Sequence, residues 1–343
     1  MCTYKFNKDL IYISVDSGKS AGKYAWLGQN GEIHHDVITT YLKEVALDDV
    51  FQGSADRVVY APENEEKKAY LIGGSDCDII FERSDTKLEL KHEIGIYTAI
   101  SKVLMSLDLD LSQTINIDLS INIPLEDFKD SQTKNKYIEQ YLNKEISLLL
   151  NNHPIKFKIS NLSPFYESQG ALIRNMQLID RETPNCLVCV IDIGSKNDTQ
   201  ILCNKLLPVP GKNVMTGNGI NNSLRQLASK LYLEYKNKFT IPEVEEILTS
   251  KTMPRGVERN RVEELFAPIA LNLAKEIKVN TDQLELNTTN TKILFSGGSS
   301  IVLKEYLKSV YSPEYDIYFS QDARFDNAIG ALIKALENSK NEQ

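Results

Sequence analysis

Cysteine is scarce in this chain, and the five present (Cys2, Cys77, Cys186, Cys189, Cys203) form an odd, scattered set. That excludes a disulfide framework. Long apolar runs are missing too, so no stretch approaches the length of a membrane span. The opening MCTYKFNKDLIYISVD lacks the basic region and apolar stretch of a signal peptide. A reducing, cytoplasmic setting is expected. Positive charge is outweighed, with 39 Lys+Arg against 47 Asp+Glu and a formal charge of −8. Direct, non-specific binding to DNA or an acidic membrane needs a basic face, so neither is expected. Nucleic acid can still be met through a basic partner. No linker rich in Pro, Gly or Ser divides the chain, so its domains are expected to be interwoven.

What is present reads as ordinary globular protein. Apolar residues make up 42% and charged residues 25%, which excludes disorder and collagen-like repetition. A length of 343 residues implies about two domains, each with its own core. Strands and helices alternate along it. Residues 10–38 read as a strand, a tight loop, a second strand, a Gly28-Gln-Asn-Gly31 turn and a third strand. Residues 39–90 are mixed, with a charged, solvated loop at Glu63-Asn-Glu-Glu-Lys-Lys68. Ile94, Tyr97, Ile100, Val103, Leu104 and Leu107 fall at helical spacing. Ile115, Ile117, Leu119, Ile121 and Ile123 alternate with polar residues as a strand that Pro124 stops. The pattern then predicts a helix at about 133–150 and a short strand at 155–159. Further helices are expected at about 219–236, 257–278 (with Pro268 marking a kink) and 326–336. Residues 186–193 and 291–296 read as buried strands. The class is α/β.

An internal repeat carries the chemistry. Leu10-Ile-Tyr-Ile-Ser-Val-Asp16-Ser17-Gly18 recurs as Cys186-Leu-Val-Cys-Val-Ile-Asp192-Ile-Gly194. In each, a buried strand ends in Asp-x-Gly, a small polar loop follows, and the chain returns as a strand. The Gly lets backbone N–H groups approach an anion, while the carboxylate at the strand end suits a divalent cation between it and phosphate. Either loop alone reads most simply as a β-hairpin turn; the matched pair favours a site that clamps a polyphosphate. A third element, Phe295-Ser-Gly297-Gly298-Ser299-Ser300, joins a strand to an apolar helical pattern over Ile301 to Val310. Backbone can lie flat against a nucleotide at such a turn, and small residues there equally allow close helix–strand packing. It fits neither G-x-G-x-x-G nor the P-loop pattern.

These three motifs, in this order and spanning nearly the whole chain, resemble the two phosphate motifs and the adenosine motif of the actin/sugar-kinase/heat-shock ATPase superfamily. Within it, the chain looks most like the ParM-type plasmid-segregating actin-like proteins. Ser120-Ile-Asn-Ile-Pro124-Leu125 resembles that family's strand–Pro–Leu–helix passage, Ser163-Pro-Phe-Tyr-Glu167-Ser-Gln-Gly-Ala171 its Pro-Glu segment, and Phe325-Asp-Asn-Ala-Ile-Gly330-Ala331 its final connecting helix. The resemblance implies a two-domain actin-like (ribonuclease-H-like) fold with nucleotide in the interdomain cleft. Domain I would comprise residues 1–175 and 322–343, and domain II residues 176–321. Asp16 and Asp192 would hold the waters of a nucleotide-bound Mg²⁺. Ser17, Gly18, Gly194, Ser195, Lys196 and Lys23 would face the phosphates; Gly297, Gly298 and Ser299 would face the adenosine. Glu167, with Asp192, would carry the catalysis by orienting the attacking water. After Gly194 the family usually has small residues and Thr, where this chain has Ser195-Lys196-Asn197-Asp198.

The implied activity is Mg²⁺-dependent hydrolysis of ATP, with GTP left open, coupled to head-to-tail polymerisation. The implied partner is a DNA-binding adaptor on centromere-like plasmid DNA, so that the chain makes no direct contact with nucleic acid or membrane. A small-molecule kinase and a cell-shape or division filament of the same fold are the alternatives. A heat-shock ATPase domain would be longer, and a cell-shape or division filament usually carries an amphipathic terminal anchor. Other features have plainer readings. Cys186-x-x-Cys189 lies inside a buried strand and reads as core, not as a redox or zinc pair. His34-His35 has no spaced partner for a metal. Gly217-Asn-Gly219 could approach the nucleotide or simply open the next helix.

Overall fold

A computed structural model of the chain describes residues 4–18, 21–49, 53–61, 66–73, 87–175, 187–250, 253–254 and 256–341. Cys2, Lys19, Ser20, Cys77, Cys186 and residues 63–65 of the charged loop lie outside these. The chain divides into two compact units, Met1–Arg174 with Asn327–Gln343, and Asn175–Asp326.

In the first unit the strands are β1 (Ile11–Ser17), β2 (Ala21–Leu27), β3 (Ile33–Thr39), β4 (Leu42–Val45), β5 (Asp56–Tyr60), β6 (Lys68–Ile72), β7 (Ile115–Ile123), β8 (Glu145–Leu150) and β9 (His153–Tyr166). The helices are α1 (Leu90–Ser106), α2 (Leu125–Lys129), α3 (Ser131–Tyr141) and α4 (Gln169–Arg174). The strands form one sheet in the order β3-β2-β1-β7-β9-β8-β5-β6-β4. Helix α1 packs on β1 and β2 through the face that carries Ile94, Tyr97, Ile100 and Val103, all buried. Tyr97 anchors an aromatic cluster, meeting Tyr60, Phe157 and Tyr141 edge-on at 5.4, 5.7 and 6.2 Å between centroids. Such pairs add to what their buried area alone supplies.

Two expectations change here. The helix predicted at about 133–150 ends at Tyr141, and residues 145–150 are strand β8, in which Ile146, Leu148 and Leu150 point inward. A two-residue turn, Asn151-Asn152, joins β8 to β9, and both residues have positive φ (51° and 68°). That is the backbone of a type I′ hairpin, which Asn tolerates. Strand β9 is also far longer than the stretch expected at 155–159.

The second unit contains β10 (Leu187–Ile193), β11 (Asp198–Asn204), β12 (Leu207–Thr216), β13 (Thr291–Ser296) and β14 (Asp316–Phe319). Its helices are α5 (Asn221–Tyr235), α6 (Ile241–Thr249), α7 (Arg259–Asp282), α8 (Gly298–Val302) and α9 (Lys304–Tyr311). The last helix of the chain is α10 (Asp326–Asn341). The sheet order is β12-β11-β10-β13-β14, with α5 and α7 contributing Leu224, Leu227, Phe266, Leu273 and Ile277 to the core. The apolar pattern over Ile301–Val310 is broken at Leu303 into two helices. Helix α6, not expected from the pattern, begins with a capping box: the Thr240 hydroxyl and the Glu243 carboxylate bond reciprocally to each other's backbone N–H.

A polar chain crosses this core. Fully buried Asp198 accepts from the Thr216 hydroxyl and from Gln200 Nε2 at 2.9 Å. Gln200 Oε1 accepts from the Thr281 hydroxyl at 2.8 Å, which lies 2.6 Å from the Tyr311 hydroxyl.

The internal repeat is a repeat of topology. In the first unit β1 pairs antiparallel with β2, β2 with β3, β1 parallel with β7 and β7 parallel with β9. In the second, β10 pairs antiparallel with β11, β11 with β12, β10 parallel with β13 and β13 parallel with β14. Both read 3-2-1-4-5 across those five strands. The register matches as well, since Asp16 pairs with Lys23 and Asp192 with Thr199 at the same offset along each hairpin.

Candidate functional site

In the first unit, the carboxyl ends of the parallel strands β1, β7 and β9 bring four charged side chains together. Asp16 is the penultimate residue of β1 and is 8% exposed. Its Oδ2 lies 3.9 Å from Lys23 Nζ, and its Oδ1 lies 3.8 Å from Lys87 Nζ. Lys87 Nζ is 2.8 Å from Glu167 Oε1 and donates to the Asn122 carbonyl at 3.0 Å. Thus Glu167, far along the sequence from the Asp16–Lys23 hairpin, is tied to it through one further lysine. The Ser17 hydroxyl is 2.7 Å from His92 Nδ1, both residues buried. The Gly18 N–H donates to the Asp16 carbonyl at 3.0 Å, closing the loop on itself.

Glu167 owes its place to packing between α4 and α10. Its N–H bonds the Ile123 carbonyl at 2.9 Å. Next to it Ser168 takes φ +75°, and Asn327 Oδ1 accepts from the Ser168 and Ala171 amides at 3.1 and 3.3 Å. Gly170 and Gly330 let the two backbones touch, because a Cβ on Gly330 would fall on the Gly170 carbonyl.

In the second unit, Asp192 is the penultimate residue of β10, opposite Ser296 of β13. Gly297 follows with φ +79°, and a Cβ there would strike the Asp192 carboxylate and the Ile193 backbone. The glycine is therefore required by both its conformation and its neighbour. The Gly194 carbonyl accepts from the Ile220 N–H at 3.2 Å and from the Ser299 hydroxyl at 3.1 Å. Gly194 N–H donates to Asn197 at 2.8 Å, while the Ser195 and Lys196 carbonyls accept from Asn221 and Gly219. The loop thus rests on the start of α5, and Gly219 makes that approach; Gly217 lies half-buried in the bend just before it. Gly298 lies against the Arg324 side chain, whose Cγ would sit 3.6 Å from an added Cβ. Asp326, fully buried, accepts from the Ser296 and Ser320 hydroxyls at 3.0 and 2.6 Å.

Sequence reading passed over Lys87, His92, Arg324 and Asp326. Lys87 and His92 stand in no motif, and only the sheet order brings them to Asp16 and Ser17. Asp326 had a signal, as an acidic residue opening a helix. Cys189 is buried, and burial, reinforced by Cys203, pushes its thiol well above its ordinary range; it packs in the core.

The residues fit a nucleotide and its cation. Among the described residues no group of three or more His, Cys, Asp or Glu is gathered to hold a metal. A Mg²⁺ bound mainly through phosphate oxygens and water needs only one or two carboxylates from protein. Asp16 in the first unit and Asp192 in the second would each suit that role, each beside a glycine-containing loop that keeps bulk away. Lys23, in reach of Asp16, suits phosphate charge.

No protein-family model and no curated protein matches the chain. Solved structures do. Ta0583, an archaeal actin homolog, matches at a TM-score of 0.75 and 17% identity, covering 96% of this chain and 99% of its own. Bacillus thuringiensis ParM, solved with ATP, matches at 0.74 and 14%, covering 97% and 100%. The Alp12 filament structure matches at 0.68 and 18%, covering 96% and 99%. Likeness at these identities speaks for architecture, and the fold of this chain is the actin-like one.

Proposed function

We propose that this protein is an actin-like nucleotide hydrolase whose Mg²⁺-dependent cycle drives head-to-tail polymerisation, and that it moves plasmid DNA through a DNA-binding adaptor. The observation that carries the reading is the repeated hairpin. Each unit ends its first strand in Asp-x-Gly at the same register, and in the first unit Glu167 and two lysines join that carboxylate. Phosphoryl transfer to water asks for positioning and charge neutralisation more than for covalent help. Asp16 and Asp192 would orient the hydrated cation, Lys23 would neutralise phosphate charge, and Glu167 would orient water. The ParM with ATP, the Ta0583 complex with ADP and the Alp12 filament support nucleotide use and self-assembly. A head-to-tail interface extends into an open filament when its rotation does not close. The acidic balance of the chain supports leaving DNA contact to a partner.

The test is light scattering and phosphate release at micromolar protein with Mg²⁺ and ATP or GTP, with negative-stain imaging alongside. Assembly together with phosphate release in the absence of any acceptor is expected. Absence of assembly with every nucleotide would remove the filament reading, and release only with an added acceptor would favour a kinase. D192A should weaken Mg²⁺-dependent nucleotide binding at least tenfold, about 1.4 kcal/mol; unchanged affinity would detach the repeat from its assigned role.

A further inference from the structure

Lys87 is 8% exposed, and an ammonium that deep persists only when paired and hydrogen-bonded. Among the described residues its ammonium lies 2.8 Å from Glu167 Oε1, donates to the Asn122 carbonyl at 3.0 Å and forms an ion pair with Asp16 Oδ1 at 3.8 Å. These come from the ends of three neighbouring strands, β9, β7 and β1. With Lys23 on the other oxygen of Asp16, two carboxylates and two ammoniums lie together among the described residues. Beside it lies a small cavity lined in part by Ser17, Lys87, Asn122 and Tyr141. The side-chain Oδ1 and Nδ2 of buried Asn122 have no hydrogen-bond partner there among the described residues, so Asn122 contributes its backbone to Lys87.

We propose that Lys87 is a positioning residue for Glu167. It holds the carboxylate through Oε1 and turns Oε2 toward the water to be activated. Through Asp16 it also ties that carboxylate to the first Asp-x-Gly loop. An uncharged partner would hold Glu167 less firmly, because charge-assisted hydrogen bonds are roughly twice as strong as neutral ones. The inference rests on the hydrolase reading above. In the step served, the water oxygen bonds to the terminal phosphorus and the bond to the bridging oxygen breaks, its electron pair leaving with the diphosphate. One water proton passes to Glu167 and on to the released phosphate.

The experiment compares full-length wild type, K87M, K87R, E167Q and K87M/E167Q. It measures kcat and KM for phosphate release, affinity for a non-hydrolysable fluorescent ATP analogue, and the melting temperature without nucleotide. K87M should lower kcat by roughly 10²-fold, as loss of a positioned water does, while affinity for the analogue changes by less than about threefold. K87R should regain most of that loss, and K87M should have little further effect on kcat in the E167Q background. Removing one member of the pair should lower the nucleotide-free melting temperature, and E167Q should partly restore it in K87M. Should K87M fold poorly, the kcat of K87R against its retained affinity decides. The inference is overturned if K87M keeps kcat within twofold, if it loses affinity alone, or if its effect is undiminished in E167Q. If wild type neither binds nor hydrolyses nucleotide, the hydrolase reading fails first and takes this inference with it. A hydrolysing wild type with an unaffected K87M removes Lys87 alone.

Discussion

Placing one methyl group on Gly330 should destabilise the protein although the position lies inside α10. Alanine ordinarily favours a helix interior over glycine by about 1 kcal/mol. The opposing term comes from contact. The added Cβ would fall on the Gly170 carbonyl, with the Gly170 Cα only 2.7 Å away. The obstacle is backbone, not the tip of a movable side chain, so relief requires α4 to move away from α10. Overpacking costs about 1–3 kcal/mol, and a backbone obstacle belongs at the upper end. The net loss is then about 2 kcal/mol, which lowers the melting temperature by roughly 4–8 °C for a unit of this size. Moving α4 also stretches the two bonds that Asn327 accepts from Ser168 and Ala171, and these hold the segment after Glu167. Under the proposed function, G330A should therefore slow phosphate release as well. Gly95 in α1 is the matched control, because a Cβ there meets nothing within 4 Å. G95A should raise stability by about 1 kcal/mol. Thermal unfolding followed by far-ultraviolet circular dichroism reads both. A G330A protein that melts at or above wild type, while G95A rises as expected, would refute the steric reasoning.

Asp326 makes a second test. D326A leaves the Ser296 and Ser320 hydroxyls without their charged acceptor and should cost about 2–4 kcal/mol, read in a urea titration; a midpoint shift too small to resolve would contradict it. Cys189 makes a third, with the sign set by its raised thiol. At pH 8 it stays protonated, so iodoacetamide should leave Cys189 unlabelled in the folded protein and label it after denaturation, as read by peptide mass spectrometry. Labelling of Cys189 in the native protein at pH 8 would show that it is not held in the core.

The strand ends were legible because the chemistry there is local. Asp16 and Asp192 close matching apolar runs, and the hairpins that follow sit in one register. Glu167 was legible only through resemblance, since an isolated loop glutamate says little by itself. Lys87 and His92 were not legible, because their partners lie on strands that are neighbours only in the folded sheet. The helix read across 133–150 failed for a different reason. Residues 145–150 suit either period, and the decision rested on Asn151-Asn152, a turn signal that the apolar periodicity obscured. Strand β7 shows the limit of alternation. Its polar positions Ser120 and Asn122 are as buried as its isoleucines, because the strand lies between β1 and β9 and its carboxyl end reaches the charged cluster.

The polar chain from Asp198 through Gln200 to Thr281 and Tyr311 has a consequence for how the second unit unfolds. It joins strand β11 to helices α7 and α9, elements far apart in sequence. Peeling away either helix alone would leave a buried carboxamide or hydroxyl in apolar surroundings without a partner, at a cost of about 1–3 kcal/mol for each orphaned group. Partial opening is penalised at every seam that the chain crosses. In native-state hydrogen exchange, the amides of β11, α7 and α9 should therefore share one opening free energy and behave as a single cooperative unit.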